Sequence, residues 1–566
     1  MEYRELRHSA AHVLADAVKQ IYPKTKLTIG PPIEEGFYYD FDIDKTFTSE
    51  DLQKIEKKAL EIIDKNYEFK KSKKTRKEAE KILENEPYKL ELLKNIPDDK
   101  ITFYQHGNFI DLCAGPHIKS TGEIKGFKLL KTSGAYWKGD SKNRQLQRIY
   151  GVAFPTKKEL DVFLKKREEA EKRDHRKLGE EQELFFFNPN APGAPFWLPK
   201  GMVIFKELEK YWRKIHEEHD YQETSTPILL KEDIFKKSGH ISHYKENMFG
   251  LNVEKEQYYL KPMNCPEGTM VYAWKLRSYR DLPLRLSEIG RLHRNELSGV
   301  LGGMFRVRQI TMDDAHIFCT EEQIFQEVTN VLTIIRKFYD LFNLKMSYFF
   351  STMPDSALGD ISIWKKAESA LEGALKANKL KYETKEKQGA FYGPKIDVHI
   401  TDALDREWQL ATIQLDFNMP ERFNLTYEGA DGRKHRPVMI HRAIFGSFER
   451  FIGILTEHCG GRFPLWISPV QVKILTLTDK NIKYGENVFE KLKKERIRAE
   501  LDNRPESMGK KVRDAQLEQV FYIVTVGEKE ESNNTLAIRT RDGKVKFGIK
   551  AEKFIDDVLE EIKEKR

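Results

Sequence analysis

Two pairs of histidine and cysteine residues near the N-terminus have types and spacing suited to chemistry. His8 and His12 lie four residues apart in RHSAAHVLADAVKQIY, a helix-like segment, so both imidazoles fall on one helix face. Cys113 and His117 are also four residues apart, in DLCAGPHIKSTG. Three imidazoles and a thiol suit zinc, and they equally suit acid–base hydrolysis without a metal. The pattern predicts that the two pairs form one site and leaves both chemistries open.

A second group is spread over the middle of the chain. Cys265 lies in LKPMNCPEG, His316 in MDDAHIFC and His441 in MIHRAIFGS. Spacing alone does not join them, and each is equally explained as a core residue. If they meet, three ligands without a fourth describe a catalytic rather than a structural zinc site. Cys319 and Cys459 lie in apolar segments and are predicted to be core residues.

Arginines in the same part of the chain suit a polyphosphate. Arg294 lies in HRNE, Arg306 and Arg308 in FRVR, and Arg450 in GSFERFIG. Guanidinium groups that converge on one pocket would clamp a triphosphate and stabilise charge in nucleotidyl transfer, whereas each one alone is also explained by a surface ion pair. The sequence contains no P-loop and no strand-linked dinucleotide fingerprint, so any use of ATP requires a different fold.

Three blocks of sequence must position these residues. The first ends near Glu183 with a highly charged segment, 157–183, which predicts an exposed connecting helix. In the second, strand-like segments such as YQETSTPIL, LPLRLSEIGRLHRN and FRVRQITMDDAHIF surround two inserted helical patterns, which predicts an antiparallel sheet with helices. The third, from about Pro469, alternates strands and helices and predicts a small α/β domain with a mixed sheet.

Composition limits the class of protein. The chain has 566 residues and a net charge of +8, from 97 Lys and Arg against 89 Asp and Glu. This mild excess permits nucleic-acid binding without demonstrating it. Four cysteines exclude a disulfide scaffold and fit a reducing compartment. Without an apolar run of about 18 residues or a signal-peptide pattern, we expect a soluble cytoplasmic protein with no membrane partner.

Several motifs resemble class II aminoacyl-tRNA synthetases. The segment that ends at Pro227 resembles the first, dimer-interface motif of that class. RLSEIGRLHRNE through FRVRQITMDDAH resembles the second motif, and HRAIFGSFERFIGIL resembles the third. MNCP, DDAH, HRAIFGS, YYDFD, DLCAGPH, YGPKID and WQLATIQLDF together resemble the threonyl-tRNA synthetase family within the class. The resemblance covers essentially the whole chain.

The resemblance implies an α+β multidomain architecture and an activity. An α+β editing domain with its connecting helix would occupy residues 1–180. A class II catalytic domain, an antiparallel sheet flanked by helices, would occupy 184–466, and an α/β anticodon-binding domain 467–566. The implied enzyme is an ATP-dependent ligase that forms threonyl-adenylate, transfers threonine to the 3′ end of tRNA(Thr) and hydrolyses mischarged seryl-tRNA(Thr). Its implied partners are ATP with Mg²⁺, L-threonine, tRNA(Thr) and a second copy of the chain.

The resemblance also implies roles for individual residues. One catalytic-domain Zn²⁺ would be held by Cys265, His316 and His441. The other implied roles are threonine binding by Asp314, Tyr392 and Gln414; ATP and adenylate chemistry by Arg294, Arg306, Arg450, Lys395 and Gln409; editing by His8, His12, Cys113, His117 and Asp111; and anticodon binding by Arg539 and Arg541.

Physical chemistry favours two separate sites. Threonine and valine are nearly isosteric, and a single group in an apolar pocket is worth only about 1–3 kcal/mol. A zinc with an open position selects the β-hydroxyl and so rejects valine. Serine keeps the hydroxyl and lacks only a methyl group, so a second, hydrolytic site for seryl-tRNA is expected.

Three departures from the family pattern stand out. The small ubiquitin-like domain that usually comes first is not seen, either because this version lacks it or because the chain is a fragment. Met312 replaces a glutamine near the implied threonine pocket, and Pro505 replaces the asparagine of an Arg-Asn-Glu triplet. Pro505 has neither an amide side chain nor a backbone N–H, so an anticodon contact there is in doubt.

Two other functions compete with the ligase. A catalytically silent tRNA-binding relative would have lost Arg294, Arg450 or a zinc ligand, and all of these are present. A stand-alone deacylase would have no need of the arginine set. Threonine-dependent exchange between ATP and pyrophosphate discriminates, because only the ligase catalyses it.

Overall fold

The protein is described by a computed structural model over residues 3–98, 100–140, 142–357 and 360–565. The chain forms two compact units, Met1–Glu169 and Ala170–Arg566. The division falls inside one helix, so the domain boundaries expected from the sequence stay predictions.

The first unit combines a five-stranded sheet with a three-stranded one. The larger sheet has the order β1-β3-β8-β7, with β2 on β3, and the smaller has the order β4-β5-β6. Their helices are α1 (Arg4–Ile21), α2 (Ser49–Asp64), α3 (Arg76–Ile82), α4 (Pro87–Lys94) and α5 (Lys157–Lys172). Their strands are β1 (Lys26–Leu27), β2 (Pro32–Ile33), β3 (Gly36–Asp42), β4 (Lys70–Thr75), β5 (Lys100–His106), β6 (Phe109–Leu112), β7 (Gly126–Tyr136) and β8 (Gln145–Phe154).

Helix α1 carries His8 and His12 and packs on β3 and β8. Ala11, Leu14 and Val18 of this helix are fully buried in the apolar core of the unit. Because these side chains fix the rotation of the helix, they also fix the direction of the two imidazoles one turn apart.

The second unit contains a sheet with the order β11-β15-β16-β23-β20-β19-β17-β18. The helices of this region are α6 (His175–Glu181), α7 (Pro199–Glu218), α8 (Glu232–Ser238), α9 (His240–Tyr244), α10 (Cys265–Ala273), α11 (Ile324–Asp340), α12 (Ile361–Ala377), α13 (Asn418–Arg422) and α14 (Phe448–Cys459). The strands are β9 (Phe185–Phe187), β10 (Pro195–Trp197), β11 (Gln222–Glu223), β12 (Leu229–Lys231), β13 (Gly250–Val253), β14 (Glu256–Leu260), β15 (Leu284–His293), β16 (Gln309–Cys319), β17 (Lys345–Ser351), β18 (Tyr382–Lys385), β19 (Lys395–Thr401), β20 (Glu407–Asp416), β21 (Tyr427–Glu428), β22 (Lys434–His435) and β23 (Val438–Ser447).

The register of the inner strands brings distant residues together. The strands from β15 to β17 pair antiparallel, as expected, and only the outermost pairs are parallel. His441 on β23 lies between His316 on β16 and Gln414 on β20. Gln414 in turn lies opposite Lys395 on β19.

A β-bulge separates the two aspartates of the DDAH motif. The register of β16 against β23 shifts between Met312 and Asp314. Asp313 is fully buried and its carboxylate accepts the backbone N–H groups of Ile444 and Phe445. The bulge therefore gives the two adjacent carboxylates different surroundings.

Most long elements follow the predicted pattern, but YQETSTPIL does not form one strand. It contributes only the short β11 and the first residue of β12. Between them, the backbone N–H and hydroxyl of Thr226 bind the Glu288 carboxylate, and Pro227 has no N–H for a ladder. Side-chain hydrogen bonding replaces sheet pairing here.

The C-terminal part of the second unit is the predicted small α/β domain with a mixed sheet, of order β25-β24-β26-β27-β28. Its strands are β24 (Val472–Thr476), β25 (Ala499–Asp502), β26 (Tyr522–Val526), β27 (Thr535–Thr540) and β28 (Val545–Lys550), and its helices are α15 (Ile482–Lys494), α16 (Met508–Leu517), α17 (Glu528–Asn533) and α18 (Ala551–Lys563). The short α17 was not predicted. The fold class is the expected α+β multidomain arrangement.

The charged connecting segment differs from its prediction. It forms two helices rather than one, because α5 ends at Lys172 and Asp174 caps α6. His175 and Leu178 of α6 are buried, so the prediction of an exposed helix is wrong for this part. Among the described residues, no helix is both long and apolar enough to span a membrane.

Candidate active sites

Cys265, His316 and His441 meet on the central sheet. Cys265 begins α10, while the two histidines face each other on β16 and β23, with ring centroids 5.1 Å apart. All three are buried, and their ligand atoms lie within 4.8 Å of one another. The structure therefore brings together the three residues that spacing could not join.

Acidic groups around this cluster favour positive charge at His441. His441 Nε2 lies 3.0 Å from Asp416 Oδ2. Burial favours neutral His441, but Cys265 and Asp416 outweigh it and raise the pKa of His441 to about 10. Burial also lowers the pKa of His316 well below its ordinary value and raises the pKa of the Cys265 thiol.

The donor set fits zinc. Within the described residues, His316 Nε2 is buried without a hydrogen-bond partner, which is costly for a polar atom unless a ligand engages it. One sulfur and two imidazole nitrogens are preferred zinc ligands, and a carboxylate behind one of the imidazoles is a common support for such ligands.

Of the residues expected to bind threonine, Tyr392 lines a pocket together with Cys265 and His441. Asp314 Oδ2 accepts a 3.0 Å hydrogen bond from Asn264 Nδ2, and burial raises the pKa of Asp314. The Tyr392 hydroxyl donates to the Gln414 side chain. The pocket wall includes Ser238, His240, Met263, Cys265, Phe391, Tyr392, Asp416, Met419 and His441.

Arg306 and Arg450 are close enough to repel each other. Arg450 lies in the first turn of α14, with its guanidinium 5.7 Å from the centre of the Trp408 ring. Burial first, and then Arg306, lower the pKa of Arg450. Arg306 is exposed and pairs with Glu296 at 2.9 Å. A bound polyanion would relieve the repulsion between the two arginines.

Arg294, Lys395 and Gln409 are held by local contacts. Arg294 Nε donates to the Pro262 carbonyl at 3.3 Å. Lys395 Nζ lies 2.7 Å from Asp397 Oδ2, and Gln409 Nε2 donates to Asp397 Oδ1 at 2.8 Å. The buried Asp397 therefore orients two side chains that come from neighbouring strands.

The four N-terminal residues also form one cluster. Cys113 Sγ lies 3.3 Å from both His8 Nε2 and His117 Nε2. The ring centroids of His12 and His117 are 4.5 Å apart. His12 is buried and the other three are partly exposed. His8, His12 and Cys113 line a pocket that also contains Pro31, Pro32, Tyr39 and Leu92. The predicted union of the two pairs is thus seen in the geometry.

The Nδ1 atoms of His8 and His117 contact groups of the protein. His8 Nδ1 lies 3.2 Å from the Pro116 carbonyl, and His117 Nδ1 lies 2.9 Å from the Ser9 hydroxyl. Gly115 has φ +74°, and an added Cβ would collide with Tyr104, so glycine is required for this turn.

Asp111 lies at the back of the N-terminal cluster. Its carboxylate is 2.8 Å from Lys89 Nζ and 3.1 Å from the Tyr39 hydroxyl, but 3.9 Å from His12 Nδ1. Lys89 and Tyr39, rather than a histidine, satisfy this carboxylate. His12 Nδ1 has no hydrogen-bond partner among the residues that the structure describes.

Burial keeps the N-terminal cluster uncharged. It lowers the pKa of His8, lowers that of His12 well below its ordinary value and lowers that of His117 to about 3. It raises the pKa of the Cys113 thiol to about 11. At neutral pH the cluster therefore presents neutral imidazoles beside a protonated thiol.

The two arginines expected to bind an anticodon differ in their contacts. Arg539 donates to the Gly543 carbonyl at 3.1 Å near the surface. Arg541 instead donates to the carbonyls of Phe463 at 2.6 Å and Gln519 at 2.7 Å, and burial lowers its pKa to about 10. This geometry favours Arg539 over Arg541, and an anticodon contact at either stays a prediction.

The structure shows the surroundings of two of the sequence departures, and it gives no reason for Pro505 itself. Met312 packs with the buried Leu292, Val307 and Ile310, so its apolar side chain has apolar neighbours. Arg504, beside Pro505, pairs with Asp502 at 2.6 Å and Asp514 at 2.9 Å.

Sequence reasoning missed several supporting residues. Asp416 had a signal, since it lies two residues after Gln414 on β20 and so shares its face. Lys89, in the helix PYKLELLK, and Asn264, before Cys265, had none. Their contacts depend on elements distant in sequence.

Three family profiles match parts of this chain. Residues 248–459 match the tRNA synthetase class II core domain (G, H, P, S and T), and residues 471–561 match an anticodon binding domain. Residues 101–150 match the threonyl and alanyl tRNA synthetase second additional domain.

Relatives named threonine–tRNA ligase align with nearly the whole chain. That of Acetivibrio thermocellus is 51% identical over 562 residues, 99% of this chain and 88% of the relative. That of Clostridium tetani is 52% identical over 541 residues, 95% of this chain and 85% of the relative.

Solved structures give the same indication. The RNA binding domain of threonyl-tRNA synthetase from Cryptosporidium parvum superimposes with a TM-score of 0.67 at 41% identity, covering 68% of this chain and 98% of that one. A putative threonyl-tRNA synthetase from Aeropyrum pernix gives 0.61 at 26% identity, covering 69% and 96%.

Proposed function

The chain belongs to the threonine–tRNA ligase family, and from this membership we propose that it activates L-threonine with ATP and transfers the threonyl group to tRNA(Thr). The observation that carries the proposal is the buried Cys265, His316 and His441 cluster at the wall of a pocket that also contains Tyr392. Such a cluster supplies amino-acid selectivity that an apolar pocket lacks.

One Zn²⁺ would be held by these three residues. A zinc with an open coordination position provides a Lewis acid for an amine or a hydroxyl. Asp314 accepts the threonine hydroxyl proton in a hydrogen bond, while Tyr392 and Gln414 hold each other on another side of the amino acid. Valine offers no hydroxyl to Asp314, so this carboxylate loses the hydrogen bond that threonine would add to the one from Asn264, which is a large penalty in a buried site.

The arginines bind ATP with Mg²⁺. Arg294 neutralises the α-phosphate as threonine attacks it, and Arg306 and Arg450 hold the triphosphate and adenine ends. Lys395 and Gln409, both fixed by Asp397, contact the adenylate. Charged donors fixed before the reaction stabilise the developing charge without reorganisation.

The N-terminal cluster hydrolyses mischarged seryl-tRNA(Thr). Its neutral imidazoles are competent to accept a proton from water, which is worth about 10²–10⁴-fold for a well-placed base. We assign this role to His8, His12, Cys113 and His117, with Asp111 beside them. Threonine is excluded by the size of its extra methyl group.

The remaining partners follow from the family. The C-terminal domain binds the anticodon stem, through Arg539 and, with less exposure, Arg541. The segment that ends at Pro227 forms a two-fold interface, so light scattering should give about twice the 66.4 kDa of one chain. We propose that the enzyme works in the cytoplasm, where its substrates are made.

Threonine-dependent exchange of pyrophosphate into ATP tests the proposal. The purified chain should catalyse this exchange with threonine and not with valine. Arg294→Ala should lower its rate by about 10²-fold, because a charge-assisted contact to the transition state is lost. The exposed Arg280→Ala is the matched control and should retain full activity. Exchange that does not depend on threonine would contradict the proposal.

A further inference from the structure

His175 has a partner on each ring nitrogen although it lies outside both clusters. It is 2% exposed at the start of α6. Its Nδ1 lies 2.6 Å from Glu457 Oε1 on α14, and its Nε2 lies 3.0 Å from the backbone nitrogen of Met304. The same Glu457 oxygen accepts the His175 backbone N–H at 3.0 Å. Asp174, His175 and Glu457 could together hold a metal ion, but both imidazole nitrogens are already in use.

These partners fix the tautomer of the imidazole. A backbone N–H can only donate, so His175 Nε2 is the acceptor and carries no hydrogen. The hydrogen is therefore on Nδ1 and is donated to the Glu457 carboxylate. The ring is a neutral bridge between α14 and the turn at Gly303–Phe305.

The Gly303–Phe305 turn has a glycine where the His175 ring comes close to its backbone. Gly303 has φ +56°, a conformation that favours glycine, and an added Cβ would collide with His175 Nε2. Arg306 follows the turn directly. The position of the imidazole thus limits where the backbone that carries Arg306 can lie.

A second route of contacts leads from His175 to Arg450. The His175 and Phe305 rings have centroids 4.2 Å apart, and those of Phe305 and Trp408 are 4.5 Å apart. Trp408 is the ring beneath the Arg450 guanidinium.

A series of polar contacts leads from Trp408 back to Glu457. Trp408 Nε1 donates to Asp402 at 2.8 Å. Arg406 bridges Asp402 and Glu457, at 2.6 and 2.5 Å. The contacts of His175 therefore reach both arginines assigned to ATP, through backbone on one side and aromatic rings on the other.

We propose that His175 is a positioning residue for ATP: by accepting the Met304 N–H, it holds the turn that places Arg306, and with Phe305 and Trp408 it supports Arg450. The inference rests on the ATP role proposed for the two arginines. It assigns a catalytic-site function to a segment that the sequence marks as a connector.

Two substitutions test the two ring nitrogens of His175 independently. The His175→Asn amide nitrogen replaces Nδ1 and keeps the donor to Glu457, but it offers no acceptor to Met304. The longer His175→Gln side chain places its oxygen near the Nε2 position and restores that acceptor. Exchange kinetics with varied ATP and with varied threonine, together with melting temperatures, are the measurements.

His175→Asn should raise the ATP KM about tenfold, the equivalent of one lost hydrogen bond. Its threonine KM should stay within twofold, and His175→Gln should return the ATP KM towards the wild-type value. Equal ATP KM values for both variants and the wild type would overturn the proposal and make His175 a packing residue. Absence of threonine-dependent exchange in the wild type would instead contradict the proposed function.

Gly303→Ala tests the contact from the other side. It leaves His175 intact but forces the turn away from it, so the ATP KM should rise while the threonine KM does not. The matched control is the neighbouring Gly302→Ala, whose added Cβ meets no atom of the described residues within 4 Å. Identical ATP KM values for the two glycine variants would overturn the positioning role even if the histidine variants fail to fold.

Discussion

The two histidine–cysteine clusters contain the same types of side chain, but different residues contact those side chains. In the central-sheet cluster, His441 has the Asp416 carboxylate at 3.0 Å, and a nitrogen of His316 has no hydrogen-bond partner in the described part of the chain. In the N-terminal cluster, Cys113 already lies 3.3 Å from two imidazoles. Its nearby carboxylate, Asp111, is instead satisfied by Lys89 and Tyr39.

This difference indicates that the residues in contact with the histidines and cysteines decide the chemistry of each cluster. A carboxylate on a buried imidazole adds negative charge and favours a cation. In the N-terminal cluster, Lys89 pairs with the Asp111 carboxylate and cancels its charge, while burial keeps the imidazoles neutral and the thiol protonated. We therefore expect zinc in the first cluster and metal-free hydrolysis in the second.

The largest effect is expected from Cys265→Ser. Loss of the thiolate should reduce bound zinc from about one per chain to near zero. Threonine-dependent exchange should fall about 10³-fold, since a Lewis acid is worth several kcal/mol. Elemental analysis and exchange assays measure the two outcomes.

The buried Cys319→Ala is its control, because this cysteine lies on the same strand as His316 outside the cluster. It should keep both zinc and activity. Full exchange activity in zinc-free protein would show that the central-sheet cluster works without zinc, and it would contradict the proposed difference between the two clusters.

The next effect is expected from the combined His8→Ala and His12→Ala variant. Hydrolysis of seryl-tRNA(Thr) should fall about 10²-fold or more, because the bases that activate water are lost. Threonylation should stay near normal. Deacylation of purified seryl-tRNA is the assay, and circular dichroism verifies folding.

A chelator sharpens the same contrast in the unaltered protein. It should abolish exchange and spare deacylation. A folded double variant that deacylates at the wild-type rate would refute the editing role, while leaving the ligase assignment intact.

A smaller effect is expected from the two supporting carboxylates. Asp416→Asn should weaken zinc binding about 10–100-fold, as for other residues that support a metal ligand. Asp111→Asn should leave the metal content unchanged. Competition with a zinc chelator of known affinity measures both, and equal losses in the two variants would mean that both clusters hold metal.

The smallest effect concerns stability and pH. Burial lowers the pKa of His117 from about 6.5 to about 3. Between these two pH values the unfolded chain therefore binds a proton at His117 and the folded chain does not. The free energy of unfolding should therefore fall as pH drops below about 6.5, by at most about 1.4 kcal/mol per pH unit for this group.

Melting temperatures between pH 5 and 7.5 measure this dependence. His117→Gln should reduce it, because one titrating ring is gone while His8 and His12 remain. Parallel curves for the variant and the wild type would show that His117 is not a source.

Much of the N-terminal cluster could be predicted from the sequence, because its two residue pairs have short-range spacing. His8 and His12 are one helical turn apart, and Cys113 and His117 are four residues apart. The central-sheet cluster instead depends on strand register, and before the structure only the family resemblance joined its three residues.

What the sequence could not provide is the direction of single side chains at irregular points. The bulge that separates Asp313 from Asp314 has no distinctive composition. His175 lies in a highly charged segment, and its burial depends on Glu457, 282 residues later. Arg541 resembled any exposed hairpin arginine until its partners were known.

Two arginines of the C-terminal domain make contacts that bear on whether this domain can be exchanged between relatives. Arg541 donates to the Phe463 carbonyl, and Arg498 donates to the Trp466 and Ser468 carbonyls at 2.7 and 2.9 Å. Arg541 also donates to the Ser468 hydroxyl at 3.4 Å, so the two guanidinium groups contact mainly the backbone of one short linker and one of its side chains. A chimera that exchanges this domain between relatives should tolerate a foreign linker sequence, provided that its length and Ser468 are kept and both arginines travel with the domain.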